Sequence, residues 1–193
     1  MSELPQRDRS EVLALLRAHQ LRVTDAHEAA MVAATIAFVA AEPHCAERTL
    51  AVGHLTGSAW IVDAARQRTL LTHHRKLNKW LQLGGHADGD LDIAAVAMRE
   101  AEEESGLSQL RAVSGQLFDV DRHLIPARAH EPEHWHYDLR FMIEADPNEP
   151  FVVSAESKDL AWIEIVRMAD YNTEESMMRM ARKTAATWRS QVE

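Results

Sequence analysis

The sequence predicts an α+β fold, and three observations carry that prediction. Helical patterns stand at the two ends of the chain. Between them, segments at 51–63, 69–73, 117–124, 135–144 and 160–165 read as strands bounded by turn signals. In the middle, Ile93, Val96, Ala97, Met98 and Ala101 recur at helical spacing just after a glycine-rich run, 84–90, that marks a loop.

Residues 1–9 are polar and start loosely. Asp8 with Glu11 three residues on forms a capping pair for a first helix, which carries Val12, Leu15 and Leu16 on one face. Asp25 and Glu28 repeat the signal before a longer helix with Met31, Val32, Thr35, Ile36 and Val39. That helix has to stop before Pro43, because the residue preceding proline resists helical angles. Residues 51–63 form one or two strands, 64–67 turn the chain, and 69–73 pair back. After the central helix, Gly106 is the favoured stop. Two further strands flank a loop (126–134) rich in charge and histidine. A turn at 146–150 precedes the last strand, and Asn172 with Glu175 caps a C-terminal helix striped by Met178, Ala181, Ala185 and Trp188. This organisation predicts a helical extension over 1–48 and one domain over 49–193.

Chemistry concentrates in the central helix. Glu100, Glu103 and Glu104 lie at i, i+3 and i+4, so three carboxylates share one face. Unpaired, they repel one another. A divalent cation removes that penalty, and oxygen-only donors suit a hard ion such as Mg²⁺ or Mn²⁺. A solvated acidic face is the simpler alternative for the glutamates alone, but the flanking glycines and Arg99 weigh against it.

The stretch from Gly85 to Leu107 resembles the Nudix box, G-x5-E-x7-R-E-U-x-E-E-x-G-U with U apolar. Gly85, Arg99, Glu100, Ala101, Glu103, Glu104, Gly106 and Leu107 match in register. One position departs: the first box glutamate falls on Leu91, and Gly89-Asp90 looks like the family's Gly-Glu pair moved one residue earlier, with Asp90 as the replacement carboxylate. The resemblance implies an α/β/α sandwich around a mixed sheet, with the N-terminal helices packing on that core, dimerising or shaping the pocket. It implies metal-dependent hydrolysis of a phosphoanhydride in a nucleoside diphosphate linked to another group. Glu100, Glu103 and Glu104 are then the ligands of Mg²⁺ or Mn²⁺. Arg99 orients a box glutamate by a salt bridge. Glu100 or Glu103 serves as general base, with Glu156 the candidate outside the box. Two other functions attach to similar domains: nucleotide sensing without cleavage, which the Leu91 departure favours, and isomerisation of allylic diphosphates. The second needs a cysteine near the glycine loop, where this chain has Leu83-Gly84-Gly85-His86.

Around the box, Arg75, Lys76 and Lys79 with His73 and His74 form a basic group able to meet substrate phosphates, Arg by bidentate contacts and Lys as a point charge. Gly85 and His86 stand where backbone N–H groups approach phosphate. His123, His130, His134 and His136 complete a histidine-rich core half. His134 and His136 alternate along a strand and so point to one side, where a polar sheet face is the simpler reading than a metal or phosphate site. Trp60, Trp80, Trp135 and Tyr137 are read as core.

Composition sets outer bounds. The 193 residues suffice for one substantial core plus an extension, and 46% hydrophobic with 26% charged residues is ordinary for a globular protein. A net charge of −9 argues against a nucleic-acid polymer as partner but not against a small phosphorylated, nucleotide-derived substrate. The single cysteine, Cys45, suits a reducing cytoplasm. No signal-peptide pattern and no membrane-length apolar run is seen.

Overall fold

The structure, a computed structural model, describes residues 8–128 and 132–192, with side chains described as far as 187. The loose start expected for 1–7, His130 and the Trp188 side chain fall outside the described residues. The elements are α1 (Ser10–Gln20), α2 (Ala26–Ala41), β1 (Gly53–Val62), β2 (Arg68–His74), β3 (Lys79–Leu81), β4 (Leu83–His86), α3 (Ile93–Ser105), β5 (Arg111–Ala112), β6 (Asp119–Ile125), β7 (His134–Glu144), β8 (Ser157–Glu164), a 3₁₀ helix (Ile165–Asp170) and α4 (Glu175–Val192). The fold is α+β: a mixed sheet with flanking helices, preceded by the N-terminal helical pair. By Cα proximity the chain forms two compact units, one of residues 1–57, 85–96 and 116–140, the other of 58–84, 97–115 and 141–193.

In the first unit, α1 and α2 pack together and α2 also lies on β6, so the N-terminal pair is joined to the sheet. The Asp25 side chain accepts from the Glu28 N–H at 2.8 Å, capping α2 as its sequence predicts. The Glu28 side chain meets His19 Nε2 at 2.8 Å, a buried link between the two helices. Asp8 accepts from the Ser10 N–H rather than from Glu11, so its bond closes a turn ahead of α1. Phe38 stacks on Tyr137 with centroids 4.0 Å apart. β6 and β7 pair antiparallel from Asp119 opposite Arg140 to Ile125 opposite His134. Arg140, buried, meets Asp138 at 2.7 Å, Asp119 at 3.2 Å and Asp121 at 3.4 Å. Three carboxylates around one guanidinium hold it firmly charged.

In the second unit, β2 pairs antiparallel with the end of β1, with β3 and, along its whole length, with β8. The β1–β2 turn is fixed by Asp63, whose carboxylate accepts from the N–H groups of Gln67 (2.8 Å) and Arg68 (2.9 Å). Ala59, Ile61, Leu70, Leu83, Ala101, Leu107, Ile143 and Leu160 form the core, with Met98, Phe151 and Trp162 against it. Gly106 stops α3 in the left-handed region (φ +69), as expected. The Asn172 side chain accepts from the Glu174 N–H (2.7 Å) and donates to the Trp80 carbonyl (2.9 Å), tying the start of α4 to β3. The buried face of α4 is Met177, Arg179, Met180, Ala181 and Thr184; of the expected stripe, Ala181 is buried and Met178 and Ala185 are half-buried. Thr184 belongs inside because its hydroxyl accepts the N–H of fully buried Trp60 at 2.9 Å. Among the described residues, no helix is long and apolar enough to cross a membrane.

Candidate active site

The glycine-rich run is not all loop. Leu83, Gly84, Gly85 and His86 form β4, and the turn comes after it at Asp88 (φ +50) and Gly89 (φ +85). Asp90 then accepts from the Asp92 N–H (2.9 Å), and Asp92 accepts from the Ala95 N–H (3.0 Å), capping α3. Both carboxylates are thus used in setting the angle at which α3 begins. Asp88 pairs with Arg48.

α3 carries Arg99, Glu100, Glu103 and Glu104. Glu100 is mostly covered (18% exposed) and Glu103 mostly open (65%), so the carboxylate row runs from the protein interior out to solvent. Arg99 lies beside both, 3.4 Å from the Glu100 carboxylate and 3.9 Å from that of Glu103. Glu104 accepts the backbone N–H of Gly84 at 3.2 Å, which anchors the helix face to β4. Burial pushes the Glu104 carboxyl up to about 7; the Gly84 bond opposes that rise, and the charges of Glu100, Glu156 and Glu103 add to it. Three other carboxylates therefore act on Glu104, and one of them, Glu156, lies in a loop far along the chain. Such a donor set, all oxygen and mutually repelling, is matched to a divalent cation.

The basic group ahead of β4 has other engagements. Arg75 donates from its backbone to the Glu156 carbonyl (2.9 Å), and from its guanidinium to the carbonyls of Ala155 (3.1 Å) and Ser157 (2.7 Å). Thr72 and Ser157 share a buried hydroxyl–hydroxyl bond of 2.5 Å next to it. Arg75 thus holds the backbone of the segment that presents Glu156. Lys79 pairs with Glu174, and His73 stacks on Trp80.

Gly85 and His86 belong to the first unit, where His86 lies among histidines: its ring is 5.0 Å from that of His54 and 5.1 Å from that of His136. His54, not singled out from sequence, is buried within β1. Its only sequence signal is one polar residue in a strand-like run.

The NUDIX domain model matches residues 54–183, more than half of the chain. No curated protein is significantly similar in sequence. Among solved structures, the fold is similar to a Caenorhabditis elegans Ap4A hydrolase in a binary complex (TM-score 0.57, 17% identity, covering 70% of this chain and 98% of the other). It is also similar to the Escherichia coli dihydroneopterin triphosphate pyrophosphohydrolase (TM-score 0.53, 14% identity, 66% and 92%). A NUDIX-family hydrolase from Clostridium perfringens gives TM-score 0.51 at 22% identity, with 69% and 97% covered. With the box carboxylates gathered on one helix face and the family model covering two thirds of the sequence, the chain belongs to the Nudix family, hydrolases of phosphoanhydride bonds.

Proposed function

We propose that the chain is a pyrophosphohydrolase that uses Mg²⁺ or Mn²⁺ to split a nucleoside diphosphate linked to another group, with water as nucleophile. The observation that carries this reading is the gathering of the Glu100, Glu103 and Glu156 charges around the mostly buried Glu104 carboxyl, three of the four on one helix. Glu100, Glu103 and Glu104 would hold the cation. Bound there, it supplies charge neutralisation for the diphosphate and a more acidic water. Arg99 keeps the Glu100 and Glu103 carboxylates turned toward the site. Gly84 N–H fixes one oxygen of Glu104 and leaves the other for the ion. A box carboxylate, Glu100 or Glu103, accepts the proton of the attacking water. Glu156, held by Arg75 through the backbone on either side of it, is the alternative base. The backbone N–H groups of Gly85 and His86 remain candidate phosphate contacts. Arg75 and Lys79 reach substrate only by leaving their present partners.

Residues 49–193 would form the catalytic domain and 1–48 its extension. The buried thiol of Cys45, pushed up to about 11 by burial, stays protonated and suits a reducing cytoplasm. It also offers no support to an isomerase that needs a reactive cysteine. The neighbours of known activity cleave dinucleoside polyphosphate and pterin triphosphate, as their names state, which makes phosphoanhydrides of nucleotide-like compounds the first substrates to test.

The test is incubation of purified protein with nucleoside triphosphates, dinucleoside polyphosphates, nucleotide sugars and coenzyme-type diphosphates, followed by ³¹P NMR. The reading predicts that one class is cleaved to two phosphorylated products with Mg²⁺ or Mn²⁺ and is spared with chelator. Tight nucleotide binding with no cleavage in any metal would replace it with a sensor.

A further inference from the structure

Four histidines of the first unit converge on one place, although they come from three separate strands. Gly53 is the reason β1 gets there. Its φ is +144, and a Cβ at this position would lie 2.4 Å from the Trp135 carbonyl oxygen, so only glycine lets the β1 backbone come so near β7. The Trp135 N–H also bonds the Val52 carbonyl at 3.2 Å. Trp135 stands between His134 and His136, which share a face of β7, and the next residue of β1 is His54. Its ring is consequently 5.0 Å from that of His134 and 4.7 Å from that of His136. The Ala87 N–H bonds the Leu55 carbonyl at 3.2 Å, which brings His86 to the same place.

We propose that His54, His86, His134 and His136 form a binding site for a divalent transition-metal cation of the Zn²⁺ type. One ring nitrogen each of His54, His86 and His136 lies within 4.8 Å of the others. Nitrogens bound to one tetrahedral Zn²⁺ at 2.0–2.1 Å stand about 3.3 Å apart, so ring rotation of half-buried His86 and His136 closes the set. One edge is already near that length: His134 Nε2 and His136 Nε2 are 3.2 Å apart. His134 Nδ1 lies 2.8 Å from the Pro132 carbonyl and donates to it, which leaves the Nε2 lone pair pointing inward. Orientation of one ring nitrogen by a backbone carbonyl while the other binds is the usual outer support of a histidine ligand. His54 supplies the independent observation. It is 1% exposed, and among the described residues neither of its ring nitrogens has a hydrogen-bond partner. A buried imidazole with both nitrogens unmatched is unfavourable unless something supplies the missing partner, and a cation among four imidazoles does so. Neutral nitrogen donors select Zn²⁺, Co²⁺, Ni²⁺ or Cu²⁺ over Mg²⁺. The site is therefore chemically separate from the oxygen donors of α3, and the proposal stands whatever reaction the carboxylates perform.

The experiment uses the full chain, stripped with chelator and titrated with Zn²⁺ or Co²⁺ in excess Mg²⁺. One equivalent is expected to bind. The Co²⁺ form should show the visible bands of a tetrahedral centre, and Zn²⁺ at about 100 times Kd should raise Tm by about 5–10 °C. His86→Gln and His136→Gln should each weaken binding by about 100-fold or more and remove the bands, while Glu103→Gln keeps them. X-ray absorption of the wild-type Zn²⁺ protein reads the ligands directly, whether or not a variant folds, and should show a shell of imidazole nitrogens. An oxygen-dominated shell, wild-type affinity in both histidine variants, or no Zn²⁺ uptake would each overturn the proposal.

Discussion

Glu104 gives the sharpest quantitative test of the carboxylate face. With its carboxyl near 7, it is about three-quarters protonated at pH 6.5 and almost fully ionised at pH 8.5. A cation taken up by the α3 carboxylates needs it ionised. Binding of Mg²⁺ at pH 6.5 should therefore release about three-quarters of a proton per site, and at pH 8.5 almost none. The apparent affinity should rise about fourfold between the two, in proportion to the ionised fraction. Calorimetric titration in two buffers of different ionisation enthalpy measures both quantities. Glu104→Gln, which keeps an acceptor for the Gly84 N–H, should bind more weakly and lose the pH dependence. The same shift appears in stability. The folded-state pKa lies above the unfolded value of 4.5, so the folded state binds more protons between the two. The contribution of Glu104, of the order of 3 kcal/mol, is full below pH 4.5 and is lost as pH rises through 7. Saturating Mg²⁺ should flatten that slope. Equal proton release at both pH values, or a pH dependence that survives in Glu104→Gln, would refute the reasoning.

Three predictions concern the scaffold. Gly53→Ala drives a methyl group against the Trp135 carbonyl at a positive φ and should lower stability by about 3 kcal/mol or more, measured by urea unfolding. Arg140→Met removes the buried guanidinium that Asp119, Asp121 and Asp138 face, and the loss should be about 3–5 kcal/mol by urea unfolding. Thr184→Val removes the hydroxyl that accepts the buried Trp60 N–H and should lower Tm by about 2–10 °C, a loss that Trp60→Phe in the same chain should largely recover.

What was legible in the sequence was what local spacing determines. Glu100, Glu103 and Glu104 fall on one face of α3 because a helix repeats every 3.6 residues, and Gly106 ends it because only glycine enters the left-handed region easily. Asp25 caps α2 through a bond only three residues long. The misses required partners remote in sequence. Gly84 and Gly85 suggested a loop, yet Gly84 sits in β4 and gives its N–H to Glu104, 20 residues on. Nothing near Arg75 or Lys79 indicated that they would engage the 155–157 backbone and Glu174. Thr184 lay outside the expected stripe of α4, because its acceptor role depends on Trp60 in another element. His54 was invisible for the same reason: its meaning lies in His86, His134 and His136, which strand pairing brings to it.

The central claim is that the α3 carboxylates hold the cation that makes phosphoanhydride hydrolysis possible. The measurement that bears on it most directly is turnover by wild type and Glu103→Gln, side by side, on the substrate found in the screen, across a Mg²⁺ titration. Glu103 is 65% exposed, so its replacement should leave the fold and Tm unchanged. In the variant kcat should fall by about 100-fold or more, and the Mg²⁺ concentration needed for half-maximal rate should rise. Equal turnover at equal Mg²⁺ would contradict the central claim.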